Sequence, residues 1–300
     1  MIHPISFSVP EEKIFELTDV RLTKKRILSE LIPGDVSTYI YSTEEDYYHQ
    51  YRESYFAVTK KKGGWDCMRH YEIMANGCVP LFLSIEDCPV RTMALCPKDL
   101  FVEAKRLFYD RFVDKEVESL TKEDIAEYTL LLKKITDYTK QYLTTTEMAK
   151  YVVHKSGLGD VSKILYLSGS VGPDYLRCLT LHGLKKLFGP SCHDYPKIEH
   201  LYKCKNIKYH ELYGKGMTYT NLIDSTLHDD DLDKSIKEDI ENKRYDMIIY
   251  GSYHRGMPFY DTVCHTYEPN RIIMMCGEDL HGCDYANYVE KNHSVFVREL

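Results

Sequence analysis

Short, unbroken apolar runs separated by helical repeats set the pattern of this chain. In its second half, residues 163–167, Met247-Ile248-Ile249-Tyr250, Ile272-Ile273-Met274-Met275 and Ser294-Val295-Phe296-Val297 are apolar segments of strand length. Such runs suit parallel strands covered on both faces. Between the first two, a turn at 168–173 leads into a helical pattern over 174–188 that closes on Gly189-Pro190, and a second helix is expected over 232–243. Strands alternating with helices predict a doubly wound α/β unit.

The first half has the same texture with fewer signals. An irregular stretch, 4–10, and a polar amphipathic segment precede a turn at Ile32-Pro33-Gly34-Asp35. Its β-formers predict a short strand at 38–41, and Tyr55-Phe56-Ala57-Val58 predicts another. Met68, Tyr71, Glu72 and Ala75 recur at helical spacing and predict a helix over 66–76 with Gly77 as its stop. Residues 79–83 then read as a buried strand. One long helix or two should cover 122–153, with Leu130, Leu131, Ile135, Tyr138, Tyr142 and Met148 facing inward. His154-Lys155-Ser156-Gly157-Leu158-Gly159-Asp160 lacks periodicity and reads as a linker. The expected organisation is therefore α/β, two Rossmann-like domains at 1–155 and 156–300 facing a cleft.

Composition narrows the class. The 300 residues are 43% hydrophobic and 28% charged, a globular balance that excludes a disordered chain. No apolar run reaches the ~18 residues of a membrane span, and no basic start with a long apolar stretch marks a signal peptide. A net charge of −7 with pI near 6.0 argues against nucleic acid as a partner. Ten cysteines are dispersed along the chain. Reduced thiols and a cytoplasmic location are expected. Twenty-six tyrosines suit sugar stacking, although compositional bias accounts for them equally well.

The segment richest in chemistry is Lys60-Lys61-Lys62-Gly63-Gly64-Trp65-Asp66-Cys67-Met68-Arg69-His70-Tyr71-Glu72, continuing to Gly77-Cys78-Val79-Pro80. It reads as strand, glycine turn, helix, glycine stop and strand. Two glycines let backbone approach a bulky anion, and a helix N-terminus offers unpaired N–H groups and partial positive charge to phosphate. Arg69 stands in the first turn, where it suits a forked contact to a diphosphate. Glu72 follows on the same face, where a carboxylate suits a ribose diol. A glycine turn before a helix with a solvated Glu72 remains the plain alternative.

This run resembles the donor-binding part of exostosin-like and related GT-B glycosyltransferases of viral and bacterial type. Pro4-Ile5-Ser6-Phe7-Ser8-Val9-Pro10-Glu11-Glu12-Lys13-Ile14 and Pro33-Gly34-Asp35 look like the start of the same donor domain. Pro173-Asp174-Tyr175-Leu176, His182-Gly183-Leu184, Leu187-Phe188-Gly189, Asp194-Tyr195-Pro196, Tyr250-Gly251-Ser252-Tyr253-His254-Arg255-Gly256 and Cys276-Gly277-Glu278-Asp279 look like the other domain, so the resemblance covers most of the chain. In that family the Asp-Tyr-Leu domain comes first. Here the order is reversed, as in a circular permutation.

The resemblance implies transfer of a hexosyl or pentosyl group from a nucleotide-sugar donor, such as a UDP- or GDP-sugar, to a hydroxyl of a glycan, glycoprotein or small-molecule acceptor. No further cofactor and no metal are implied. Lys62, Gly63, Gly64 and Arg69 are then the diphosphate candidates and Glu72 the ribose candidate. A base is expected from the other half at strand ends, where ligands meet an open α/β sheet. His254, Glu278 and Asp279 are the candidates there, and Arg255 is a candidate clamp for acceptor or phosphate. Asp174 also follows a strand but reads as a helix N-cap. His254 as a loop cap, Asp279 as an Asx-turn residue and Arg255 as an isolated surface charge are the plain readings.

Other constellations are weaker. His228-Asp229-Asp230-Asp231-Leu232-Asp233 invites a metal, yet acids also favour a helix start. Cys67-Met68-Arg69-His70 and His281-Gly282-Cys283 are fragments of zinc spacing that close no four-ligand set. A different class, a Rossmann enzyme for S-adenosylmethionine or another nucleotide, rests on Leu167-Ser168-Gly169-Ser170-Val171-Gly172 with Asp194 as the ribose acid. A non-catalytic carbohydrate-binding protein is the third reading.

Overall fold

The computed structural model describes residues 1–204, 206–279 and 283–300. Two all-parallel sheets form its frame. The larger has six strands in the order β1 (Ile2–Pro4), β9 (Ser294–Val297), β8 (Ile272–Cys276), β7 (Met247–Tyr250), β5 (Ile164–Leu167), β6 (Cys192–Tyr195). The smaller orders β2 (Arg26–Leu28), β3 (Ser54–Thr59) and β4 (Val79–Phe82). The α/β class and a Rossmann-like large sheet therefore hold.

Strand alternation explains why the large sheet is buried on both sides. Ile164, Tyr166, Ile249, Ile273, Met275 and Phe296 face one apolar cluster; Leu165, Leu167, Ile248, Tyr250, Met274, Val295 and Val297 face another. The second cluster is closed by α8 (Ile236–Glu241) and α9 (Tyr260–Thr266), through Ile236, Ile240 and Val263. The first continues without a break into the small sheet, reaching Phe56, Phe82 and Tyr128. Residues 2–4 also cross over: Ile2 pairs with Val295 and Pro4 with Val297, so the beginning of the first half lies in the sheet of the second.

The expected 122–153 helix is two helices, α5 (Lys122–Tyr142) and α6 (Thr145–Lys155). Thr121 starts α5 with a capping box through Asp124, and Thr144 caps α6 by accepting from the Glu147 amide. On α5 the buried stripe is Tyr128, Leu131, Leu132, Ile135 and Thr139; Leu130 and Tyr142, expected inside, are exposed. α6 packs on α7 (Tyr175–Phe188), joining the halves at the proposed linker. The strand expected at 38–41 is absent. Asp35 accepts from the Ser37 amide and holds a short 3-10 turn over Val36–Thr38 instead. The expected 232–243 helix begins late: a 3-10 turn, Leu232–Lys234, precedes α8. Remaining helices are α1 (Val20–Thr23), α2 (Glu44–Arg52), α3 (Met68–Ala75), α4 (Lys98–Leu107) and α10 (Ala286–Glu290).

Cys276 and Cys283 form a disulfide, which corrects the expectation that all thiols are reduced. The other eight cysteines are free. No helix among the described residues is long and apolar enough to cross a membrane.

Candidate functional site

β5 has β6 on one side and β7 on the other, so the winding of the large sheet reverses between β5 and β7. Ligands of open α/β sheets sit at the carboxyl ends of strands at such a reversal. Here that edge gathers Asp174 before α7, Ser252, His254 and Arg255 after β7, and Glu278 after β8.

Asp174 caps α7 by accepting from the Arg177 amide, the N-cap role expected for it. Its second oxygen accepts from the Ser252 hydroxyl and lies 3.3 Å from Arg255 Nε. Arg255 also reaches Glu278, 3.4 Å away, and the loop carrying it is pinned by the Ser170 amide on the Arg255 carbonyl at 2.9 Å. His254 Nε2 is 2.6 Å from Glu278 Oε1. Arg255 Nε lies 3.3 Å from that same nitrogen, but the shorter contact to a carboxylate fixes a proton on Nε2. The lone pair is then on Nδ1, which is buried with no hydrogen-bond partner. Burial holds the imidazole below its usual pKa, against the opposing pull of Glu278 and Asp174. His254 is thus a neutral imidazole with one unused basic nitrogen, oriented by Glu278.

The Gly63-Gly64 bend faces this half of the molecule. An added Cβ would stand 1.8 Å from Asp279 Oδ2 at Gly63 and 2.3 Å from Glu299 Oε1 at Gly64, so a side chain at either position would push those carboxylates off the bend. The amides at the entry to α3 are not bare, as the sequence reading expected. Trp65 N donates to Glu299 Oε2 at 3.0 Å and Asp66 N to Glu299 Oε1 at 2.9 Å. Behind them lies the Arg298 guanidinium, 2% exposed, which bonds Asp279, Glu299 and the Asp66 carbonyl. The amide cradle therefore does hold an anion, but that anion is the chain's own carboxylate. A cavity of about 380 Å³ opens beside it, lined by Asp279, Cys283, Asp284, Tyr285 and Glu299.

Arg69 and Glu72 do not reach that cradle. Arg69 Nε donates to the Tyr39 hydroxyl at 2.9 Å. Glu72 is buried and accepts from Tyr47 OH at 2.8 Å and Thr218 Oγ1 at 2.7 Å. Burial raises its pKa, while those two hydrogen bonds pull the other way. With both oxygens taken by protein hydroxyls, Glu72 ties the loop around Thr218 to α3 instead of offering acceptors to a ribose. Lys62 is exposed, and its amide bonds the Gly64 carbonyl at 2.9 Å within the bend. Asp279 faces Arg298 and the bend, not His254, so of the three base candidates His254 and Glu278 form a pair and Asp279 stands with the cradle.

Arg298 and Glu299 were not singled out from sequence. They follow β9 directly, so the strand-end rule that selected His254 applies equally to them. Asp194, the ribose acid of the Rossmann alternative, is buried against Lys185, Tyr202 and His228. Of the zinc fragments, Cys67 Sγ donates to the Gly64 carbonyl, and His70 is enclosed between Thr59 and the Trp65 carbonyl; His281 and Gly282 lie outside the described residues. Comparison with protein-family models, with curated proteins and with solved structures finds no match to this chain.

Proposed function

We propose that the chain transfers a glycosyl group from a nucleoside diphosphate sugar to an acceptor hydroxyl, in a GT-B-like cleft with residues 1–155 on the donor side and 156–300 on the acceptor side. The observation that carries this reading is the carboxylate held on the Trp65 and Asp66 amides: the bend is an anion receptor turned toward the strand-end edge. In the proposed reaction the donor diphosphate displaces Glu299 and takes those two amides. Arg298, released from Glu299, then balances the charge that develops on the leaving diphosphate.

Across the cleft, a shift of the loop after β7 uncovers His254 Nδ1, buried in the unliganded chain, and the acceptor hydroxyl meets it. As its oxygen bonds the anomeric carbon, the bond from that carbon to the diphosphate oxygen breaks and its electron pair stays on the phosphate. The hydroxyl proton passes to Nδ1, and Glu278 on Nε2 stabilises the imidazolium. Arg255, between Asp174 and Glu278, keeps that carboxylate in place.

The test is release of nucleoside diphosphate from a panel of UDP- and GDP-sugars with mixed acceptors. His254→Gln should lower turnover by about 10²–10⁴-fold, the usual worth of a positioned base, with unchanged thermal unfolding. Turnover unaffected by His254→Gln, or no turnover with any donor, removes the proposal.

A further inference from the structure

A second cluster lies at the other side of the switch point, on the edge strand β6. His193 in β6, with His228 and Asp233 from the segment before α8, bring three ligand atoms within 4.8 Å of one another. His193 Nε2 is 2.8 Å from Asp233 Oδ1, and His228 Nε2 is 3.3 Å from Asp233 Oδ2. The two imidazoles stack with centroids 5.0 Å apart. For a metal about 2.0–2.2 Å from each of three ligands, neighbouring ligand atoms stand about 3–3.5 Å apart; both His–Asp233 separations are near that span, and a pair as wide as 4.8 Å would close on the ion by side-chain rotation.

The protonation pattern adds a second argument. His228 Nδ1 is 3.2 Å from Asp194 Oδ1, a carboxylate that also receives Lys185 and Tyr202. That contact places a proton on Nδ1 and leaves Nε2 as the nitrogen a metal ion would take. A carboxylate behind a histidine whose other nitrogen is free is the arrangement that orients metal-binding imidazoles. Yet Nε2 faces the carboxylates of Asp233 and, at 3.4 Å, of Asp230. Nε2 at these acids needs a positive partner, either a proton, which the surrounding carboxylates favour on His228, or a metal ion. His193 and His228 are almost fully buried, at 3% and 0% side-chain exposure, whereas Asp233 and Asp230 open to solvent at 28% and 82%, so an ion has an entry path.

We propose that His193 Nε2, His228 Nε2 and the Asp233 carboxylate bind a divalent transition-metal ion of the zinc class, with Asp230 or water completing the shell. Two imidazoles and one carboxylate are the ligand softness zinc accepts, and they leave open positions. The site stands two strands from β7, and hence apart from His254, so its role is to fasten the 228–233 segment over the outer edge of β6. It is independent of the transfer proposal.

The experiment is titration of the chelator-treated, full-length chain with zinc and with cobalt. A single equivalent should bind, with a rise in the unfolding temperature. The cobalt form should show a visible ligand-field band and no thiolate charge-transfer band, which separates this site from the free cysteines. Asp233→Asn, at a partly exposed position, and His193→Gln should each weaken zinc by more than about 100-fold, beyond the 10–100-fold typical of an outer-shell loss. Absence of stoichiometric binding, a thiolate band, or binding unchanged in both variants overturns the proposal; the first would mean that a proton, not a metal, balances the cluster.

Discussion

Replacing Glu299 by alanine separates the anion cradle from the residue that fills it. The wild-type carboxylate accepts from two amides and pairs with Arg298, all at a side chain 2% exposed. Each hydrogen bond to a charged group contributes about 1.5–3 kcal/mol, so two give about 3–6 kcal/mol. Arg298 keeps Asp279 and the carbonyls of Asp66 and Gly277, and water can enter the vacated space from the adjoining cavity. The net loss therefore falls near the lower figure, about 3 kcal/mol, or roughly 6 °C in unfolding temperature for a chain of this size. A diphosphate should restore what the carboxylate supplied. Thermal unfolding of both proteins with and without UDP, GDP and inorganic pyrophosphate is the assay. The expected result is a destabilised variant whose ligand-induced rise exceeds that of the wild type. A variant as stable as the wild type would mean that the carboxylate holds nothing. A destabilised variant that gains no more from any of the three ligands would mean that the cradle is a structural contact only.

Three further predictions follow from buried groups. Burial raises the Asp66 carboxyl to about 6, against Arg298 and the Tyr71 hydroxyl, so its contribution to stability is full below the unfolded value near 4 and declines as pH rises to 6. Burial holds His70 near 4 and works in the opposite direction over much of the same range, so the wild-type-minus-Asp66→Asn difference is the readout; it should change by about 2 kcal/mol between pH 4 and 6, and a flat difference would contradict the assignment. Lys185→Met leaves the Asp194 charge buried without the ammonium 2.9 Å away and should cost about 3–5 kcal/mol in denaturant unfolding; a neutral outcome would show that His228 and Tyr202 suffice. Gly183→Ala puts a methyl 1.9 Å from the Thr145 carbonyl where α7 crosses α6, and should cost about 1–3 kcal/mol by the same measurement; an unchanged midpoint would mean that the crossing relaxes freely.

Legibility of the sequence followed burial. β3, β4, β5, β7, β8 and β9 were readable because strands covered on both faces carry continuous apolar runs. β1, β2 and β6 were not, and all three lie at a sheet edge. An edge tolerates the Pro4 of β1 and the Arg26 of β2, and in β6 it places His193 and Asp194 in a polar network that breaks the hydrophobic signal. The segment 38–41 has β-forming residues, yet the Asp35 turn before it and the use of Tyr39 by Arg69 outweigh that local preference. At the site, the Gly63-Gly64 bend and the His254–Glu278 edge were readable because glycine turns and strand ends are local patterns. The partnership of Glu299 with Trp65 and Asp66 was not, since it joins positions 234 and 233 residues apart. Convergence of His193 on His228 and Asp233 was hidden in the same way, and the acids near 230, which invited a metal, suited a helix start as well.

The most direct measurement is a crystal structure of the protein soaked with UDP or GDP. The account predicts a diphosphate on the Trp65 and Asp66 amides, Glu299 turned out, Arg298 against a phosphate oxygen, and His254 Nδ1 uncovered from its present burial toward the acceptor side. A nucleotide bound elsewhere while Glu299 keeps both amides would contradict it.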